Sequence, residues 1–166
     1  MSMKHLYNAA VTLLETRLKI LDDEFYVKYS HNLIHQLEPD IAGIKIVCHY
    51  INDVYKMADL LINQSDIAVL KRKDYIQQAK PNGYRSLHLI VSVPVSLSNS
   101  TENAAISIQI RTVAMDCWAS LEGELHYKPT TTKSIPDIRK HLTRCAELIA
   151  ELDAEMQKIH RGIADY

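Results

Sequence analysis

The sequence is short of the residues that bend or cross-link a chain. Its 166 residues include only four glycines, five prolines and three cysteines. So few glycines and prolines argue against a disordered or loop-rich chain. The cysteines at positions 48, 117 and 145 are far apart and form no C-x-x-C pair. This spacing argues against a zinc site or a disulfide framework, so we expect free thiols and a cytoplasmic protein.

An excess of charge and long apolar runs are also missing. Nineteen basic and twenty acidic residues give a net charge of −1, so no global attraction to nucleic acid or membrane is expected. The most apolar segment, residues 87–97, is too short to span a bilayer. Near the N-terminus, Lys4 and His5 are not followed by a signal-peptide pattern. We therefore expect no membrane or DNA partner, and any anion binding must come from a local cluster.

The pattern of apolar residues predicts a single α+β domain over residues 1–166, with a core at about residues 40–128. Apolar residues recur every three or four positions in four predicted helices: residues 3–25, 52–64, 113–127 and 135–163. Runs rich in Ile and Val predict strands at residues 40–51, 67–76, 84–95 and 105–112. Residues 29–39 are predicted to be irregular, and Asn52 or Asp53 to cap a helix. This order predicts a mixed, mostly antiparallel β-sheet flanked by helices.

Polar side chains share one face of two predicted strands. Alternation along a strand places Tyr84 with His88, and Ser107 with Gln109 and Arg111. Such a face could border a water-filled cleft, or it could be the solvent-exposed side of an antiparallel sheet. Both alternatives remain open at this stage.

A local basic cluster lies close to this face in the sequence, and its members are Lys71, Arg72, Lys73 and Lys80. Clustered cations attract phosphates, although lysines also protect exposed edge strands from aggregation. Asp40, which precedes a buried strand, could be a cap or a metal ligand. Trp118 and Leu121 are predicted to be core residues.

Several stretches together resemble the synthetase domain of RelA/SpoT-type alarmone synthetases, most of all the small single-domain enzymes. The stretches are YSHNLIH, DIAGIKIVCHYINDVYKMADLL, KDYIQQAKPNGYRSLHLIVSVPV, IQIRTVAMDCWASLE and LHYK, in the order found in the family. The resemblance implies a nucleotidyltransferase-like fold and a homotetramer. It also implies transfer of the β,γ-pyrophosphate of ATP to the 3′-hydroxyl of GTP or GDP, which yields the alarmone (p)ppGpp.

The same resemblance implies the roles of individual residues. The Tyr84 ring is expected to stack on guanine, because aromatic stacking supplies affinity for a base. The residues implied in guanine-nucleotide binding are Lys73, Lys80, Asn82, Tyr84, Arg85 and His88. Asp40 matches an aspartate that binds Mg²⁺, and Gln109 and Arg111 match residues on the floor of the cleft. Asp40, Gln109 and Arg111 are therefore the candidate catalytic residues.

The chain departs from the family pattern at three places. Ser107 stands where the family has a glutamate two residues before the Gln of Q-I-R-T, and a serine replaces a catalytic carboxylate poorly because it holds no negative charge at neutral pH. A family segment with the pattern R-x-K-x-x-x-S-x-x-x-K, which binds ATP, is missing before D-I-A-G-I, and Gly123 replaces a histidine. Asp116 or Glu122 could in principle supply another carboxylate.

These departures leave three alternatives: an active synthetase, an inactive guanine-nucleotide-binding sensor or regulatory subunit, or a non-functional remnant. Weak or absent activity is the expectation for this chain.

Overall fold

The structure is a computed structural model that describes residues 1–127 and 135–163. Its helices are α1 Met3–Tyr29, α2 Ile51–Ile62, α3 Val113–Tyr127 and α4 Ile135–Arg161. Its strands are β1 Ile34–Asp40, β2 Gly43–Cys48, β3 Ala68–Asp74, β4 Leu87–Ser96 and β5 Thr101–Thr112. The polar stretch at residues 129–134, whose composition predicts a linker between the third and fourth helices, lies outside the described residues. Among the described helices, none is long and apolar enough to cross a membrane.

The five strands form one mixed sheet in the order β1-β2-β5-β4-β3. Strands β2 and β5 are parallel, and the other neighbours are antiparallel, which confirms the predicted α+β class. In β4, and in β5 from Ala104 to Ile110, every second side chain is buried, as shown by the pairs Leu89↔Ile108 and Val91↔Ile106. These side chains form one core with the apolar faces of α1 and α2. Full burial of one Leu or Ile side chain stabilises the folded state by about 1.5–3 kcal/mol. Because the apolar face of the sheet supplies this stabilisation, the opposite face can be polar.

The first strand corrects a prediction, because residues 29–39 are not irregular. Helix α1 continues to Tyr29 and ends at Ser30, which adopts a left-handed conformation with φ 54°. Strand β1 then pairs with β2 along the edge of the sheet. Its side chains are half-buried or exposed, so β1 carries no apolar run that a sequence pattern could reveal. Its hydrogen bonds to β2 define it as a strand.

Smaller corrections concern the ends of other elements. Helix α2 begins at Ile51, so neither Asn52 nor Asp53 is its N-cap; Asp53 lies buried in the first turn. Strand β4 begins at Leu87, and Tyr84 precedes it as part of a turn. Trp118 is a core residue as predicted, but Leu121 is 57% exposed, so the prediction for Leu121 is wrong.

Helix α4 turns its polar face towards the rest of the molecule. Its buried residues are Ala146, Asp153, Gln157 and His160. The Thr112 hydroxyl donates to Asp153 at 2.6 Å, and the Asn52 amide donates to Gln157 at 2.7 Å. The large apolar side chains of the predicted stripe point outward, namely Leu152, Met156, Ile159 and, just after the helix, Ile163. Specific polar bonds therefore decide which face of α4 is buried.

Candidate functional site

One row of polar side chains crosses the whole sheet on the face opposite the apolar core. Paired positions on consecutive strands place Glu38 beside Lys45, Lys45 beside Gln109, Gln109 beside His88, and His88 beside Lys73. We call these five residues the polar row. Because side chains at paired positions lie on the same face, the register brings together residues that are up to 71 positions apart in the sequence.

A tight turn before β4 places Tyr84 at one end of this face. The Gly83 amide donates to the Lys80 carbonyl at 2.8 Å, and the Lys80 amide donates to the Tyr84 carbonyl at 3.0 Å. The Asn82 side chain accepts from the Tyr84 amide at 3.0 Å. Gly83 has φ 98°, and a Cβ there would lie 2.5 Å from the Ala146 Cβ of α4. Only glycine tolerates both the positive φ and this close approach, so the turn packs directly against α4.

Aromatic rings and cations surround Tyr84. Its hydroxyl lies 2.8 Å from Nε2 of His88, and Tyr75 meets the His88 ring edge-on with 5.1 Å between centroids. The Lys80 ammonium lies 4.8 Å from the Tyr75 ring centroid and 5.0 Å from that of Tyr84. The Arg111 guanidinium carbon lies 5.7 Å from the Tyr84 centroid. The result is an aromatic surface bordered by cations, which suits a flat base that carries phosphates.

This environment keeps His88 neutral. Burial lowers the pKa of His88 to about 4, and repulsion from Lys80, Arg111 and Lys73 contributes in the same direction. A neutral imidazole has one nitrogen that donates and one that accepts, so Nε2 can share a hydrogen bond with the Tyr84 hydroxyl in either tautomer. The bond orients the Tyr84 ring.

The centre of the polar row is an ion-pair network. The Lys45 ammonium lies 2.6 Å from Glu38 and 3.0 Å from Asp116 of α3. Burial alone would lower the pKa of Lys45, but its hydrogen bonds to Glu38 and Asp116 outweigh that effect and raise it. Arg111 is buried, donates to the Gln109 side chain at 2.7 Å and lies 3.7 Å from Asp116. Ion pairing with Asp116 therefore holds Arg111 on the floor of this face, and the hydrogen bond from Arg111 holds Gln109 beside it.

Asp40 and Ser107 flank the same glycine at the far end of the face. Asp40 pairs with Gly43 across the β1–β2 hairpin, and Gly43 pairs with Ser107 on β5. A Cβ on Gly43 would approach the Ser107 carbonyl to 3.1 Å, so the backbones are close. The exposed Asp40 carboxylate accepts from the Ile41 amide at 2.7 Å.

The side-chain oxygen atoms at this end of the face fit a Mg²⁺ ion that is bound chiefly by the phosphate groups of a substrate. Mg²⁺ is usually bound by one or two carboxylates, several waters and substrate phosphates. Asp40 supplies one exposed carboxylate, whereas Ser107 supplies a hydroxyl where a second carboxylate would lie. The residues are thus compatible with a metal that arrives with a nucleotide.

Most of the predicted site residues lie on this face. Tyr84, His88, Gln109 and Arg111 form one connected group, and Lys80 extends over the rings. Arg85 is different: its guanidinium donates to the Ala146 carbonyl at 3.0 Å and thereby ties the turn to α4.

Sequence reasoning missed Tyr75 and Lys45. Tyr75 follows β3 and its amide donates to the Ser86 carbonyl at 2.9 Å, which brings its ring to His88. The aromatic residue beside the basic cluster was a usable signal for Tyr75. Lys45 interrupts an apolar strand, and an isolated lysine in such a run was a signal as well.

Comparisons with known proteins agree on one family. Residues 17–132 match the family described as "Region found in RelA / SpoT proteins". The chain is 35% identical over 190 aligned residues to the GTP pyrophosphokinase YwaC of Bacillus subtilis, with 95% of this chain and 88% of YwaC covered. That aligned length exceeds the 166 residues of this chain, so YwaC contains residues that have no counterpart here.

Solved structures give the same result. The small alarmone synthetase 2 from Bacillus subtilis has a TM-score of 0.88 at 35% identity, covering 98% of this chain and 99% of that one. The small alarmone synthetase 1 from Bacillus subtilis, bound to its product pppGpp, has a TM-score of 0.81 at 28% identity, covering 95% and 94%.

Proposed function

This chain belongs to the RelA/SpoT family, and we propose that it binds GTP or GDP at Tyr84 and converts the nucleotide to (p)ppGpp with ATP. The observation that carries the proposal is the cation-bordered aromatic surface of Tyr84, Tyr75, His88 and Lys80 at one end of the polar row. Guanine would stack on Tyr84, and Lys73 and Lys80 would bind the phosphates. This reaction takes place in the cytoplasm, where its substrates are found.

The reaction needs an attacking hydroxyl and a leaving group in line. The 3′-oxygen of the bound guanosine forms a bond to the β-phosphorus of ATP, its proton passes to solvent water, and the bond from the β-phosphorus to the α,β-bridging oxygen breaks so that AMP leaves with that oxygen. Mg²⁺ bound to Asp40 and the nucleotide phosphates would neutralise charge on the donor. Arg111 and Gln109, held on the floor by Asp116 and by each other, would position the phosphates.

Ser107 limits the rate that this site can reach. A serine hydroxyl does not accept a proton at neutral pH, and a positioned general base is worth roughly 10²–10⁴-fold in rate. Asp116 does approach the face, but it is already bound by Lys45 and Arg111. We therefore propose slow turnover compared with relatives that carry a carboxylate at this position.

A product assay tests the activity and the role of Ser107 together. The protein is incubated with Mg²⁺, GDP or GTP, and ATP labelled at the β-phosphate, and label in ppGpp or pppGpp is measured. Ser107→Glu should raise turnover at least tenfold, whereas Ser107→Gln, of similar size but uncharged, should not. Equal rates for the two variants would contradict the role of charge at this position.

A second candidate function is a guanine-nucleotide-binding sensor or regulatory subunit that does not turn over. The short connection before Asp40 favours it, because α1 ends at Tyr29 and β1 already runs from Ile34 to Asp40. The chain between α1 and the D-I-A-G-I stretch therefore has no room for a separate ATP-binding segment. GDP binding by calorimetry without labelled product would support this second function.

Stacking on Tyr84 is tested separately by GDP binding. Tyr84→Ala should weaken binding by about 1–3 kcal/mol, the usual contribution of one base–aromatic stack. Tyr84→Phe is the matched control, because it keeps the ring and removes only the hydroxyl that bonds His88. If Tyr84→Ala leaves the dissociation constant unchanged, guanine does not bind on this ring.

The proposal includes self-association into a homotetramer. The outward apolar stripe of α4 supports it, since Leu152 is 53% and Ile159 61% exposed on a helix whose polar face is buried. Exposed apolar surface of this kind is typical of a protein–protein interface.

A further inference from the structure

A second cluster of functional side chains lies outside the polar row. It gathers His31 after α1, His49 after β2, Asp53 in the first turn of α2 and His160 in the last turn of α4. One donor atom each from His31, His49 and Asp53 lies within 4.8 Å of the other two. We propose that these three residues bind one Zn²⁺ ion, with the fourth position open to water.

The donor set suits zinc by its chemistry. Two imidazoles and one carboxylate are a recurrent zinc-ligand combination, with metal–ligand distances of about 2.0–2.2 Å. Ligand atoms around a tetrahedral ion are then roughly 3.3 Å apart. His31 Nε2 and Asp53 Oδ2 are now 2.8 Å apart, and the largest separation in the group is below 4.8 Å. Small side-chain rotations would therefore bring all three donors to one ion.

A backbone hydrogen bond fixes the tautomer of His49. Its Nδ1 lies 3.0 Å from the carbonyl oxygen of Asn32. A carbonyl only accepts, so Nδ1 carries the proton and the lone pair is on Nε2. Zinc-bound histidines commonly donate their second ring nitrogen to a backbone carbonyl in this way, which fixes the tautomer and the ring orientation.

Burial and charge favour a cation at this place. Asp53 is 0% exposed, and His31 and His49 are half-buried. A buried carboxylate requires compensation by hydrogen bonds, cations or a metal. Two positive charges on a bound ion would stabilise Asp53 more than its hydrogen bond to His31 does. Zn²⁺ does not need a cysteine thiolate among its ligands, because two histidines and one carboxylate are a sufficient set.

The site is connected to α4. The His160 ring stacks on Tyr50 with 4.0 Å between centroids and lies 4.7 Å from the His31 ring. Gln157, one turn earlier, accepts from the amide of Asn52, which neighbours Asp53. A zinc ion that orders His31 and Asp53 would thus also stabilise the docking of the C-terminal part of α4.

The experiment measures zinc binding directly and uses no nucleotide, so its result is independent of the proposed function. Exposed thiols at Cys117 and Cys145 could also bind zinc, so both are changed to serine in every sample. Metal-stripped protein is titrated with Zn²⁺ in excess Mg²⁺, and the melting temperature is recorded with and without zinc. We expect one zinc per chain and a higher melting temperature.

Matched variants locate the ion. His49→Gln should weaken zinc binding at least tenfold, since even the loss of an outer-shell partner costs about 10–100-fold, and zinc should no longer raise its melting temperature. His141→Gln is the control, because His141 is exposed on α4 and lies outside the cluster. Unchanged affinity in His49→Gln, or an equal loss in both variants, would overturn the proposal.

A spectroscopic measurement tests the proposal even if His49→Gln does not fold. Co²⁺ added to the protein that retains His49 should give the intense visible bands of a four- or five-coordinate site with nitrogen ligands. Weak octahedral bands, or no binding of either ion, would overturn the proposal.

Discussion

Acid should destabilise the fold through His88. Burial, with Lys80, Arg111 and Lys73 adding repulsion, lowers the pKa of His88 to about 4. In the unfolded chain the pKa of a histidine is about 6.5. Between these values the unfolded chain takes up a proton that the folded chain does not, so stability is complete above about pH 6.5 and falls as the pH drops towards about 4.

The size of the effect follows from the two pKa values. Their difference corresponds to at most about 3 kcal/mol at full burial. The His88 ring is only half-buried, and solvent screens the repulsion from the exposed lysines. We therefore expect about 1–2 kcal/mol of unfolding free energy to be lost between about pH 7 and pH 5 because of this side chain.

Urea unfolding at the two pH values, at constant protein concentration, measures the effect. His88→Gln removes the titrating group but keeps a side chain that can form a hydrogen bond with the Tyr84 hydroxyl. The pH-dependent loss should be smaller in His88→Gln by about 1–2 kcal/mol, whereas His141→Gln, which changes an exposed histidine, should behave like the original protein.

Two results would refute the reasoning. Parallel loss of stability in the original protein and in His88→Gln would mean that His88 is not held neutral by its surroundings. Bound GDP should raise the pKa of His88, followed by the NMR shift of its ring proton, because phosphate would offset Lys73 and Lys80. The absence of any such rise would contradict phosphate binding beside these lysines.

The remaining predictions concern the turn and the outer face of α4. Gly83→Ala should lower the unfolding free energy by about 2–4 kcal/mol, because φ 98° and the 2.5 Å approach to Ala146 both oppose a Cβ. Its control, Gly123→Ala, meets no described atom within 4 Å and should be neutral or stabilising by up to about 1 kcal/mol in urea unfolding. Leu152→Glu should reduce the molar mass in light scattering without unfolding the chain, whereas Ala154→Glu on the opposite side of α4 should not. Equal effects within either pair would contradict the corresponding argument.

Local patterns in the sequence were enough for much of the fold. Apolar periodicity predicted α1, α2, α3 and α4, and runs of Ile and Val predicted strands β2 to β5, because these signals depend on neighbouring residues. Alternation also predicted that Tyr84 and His88 lie together; they are in contact at 2.8 Å, but the turn before β4, not strand alternation, brings Tyr84 there. Family membership was also readable from short motifs, since those residues are contiguous in the sequence.

Long-range pairing decided the rest. Strand β1 exists because β2 supplies its hydrogen bonds, and α4 buries its polar face because Thr112 and Asn52 bind Asp153 and Gln157. Lys45 meets Asp116, and His31 meets Asp53, only after distant segments are brought together. A sequence pattern records the polarity of each residue, whereas the partner of a buried polar group depends on the register and packing of elements far apart in the chain.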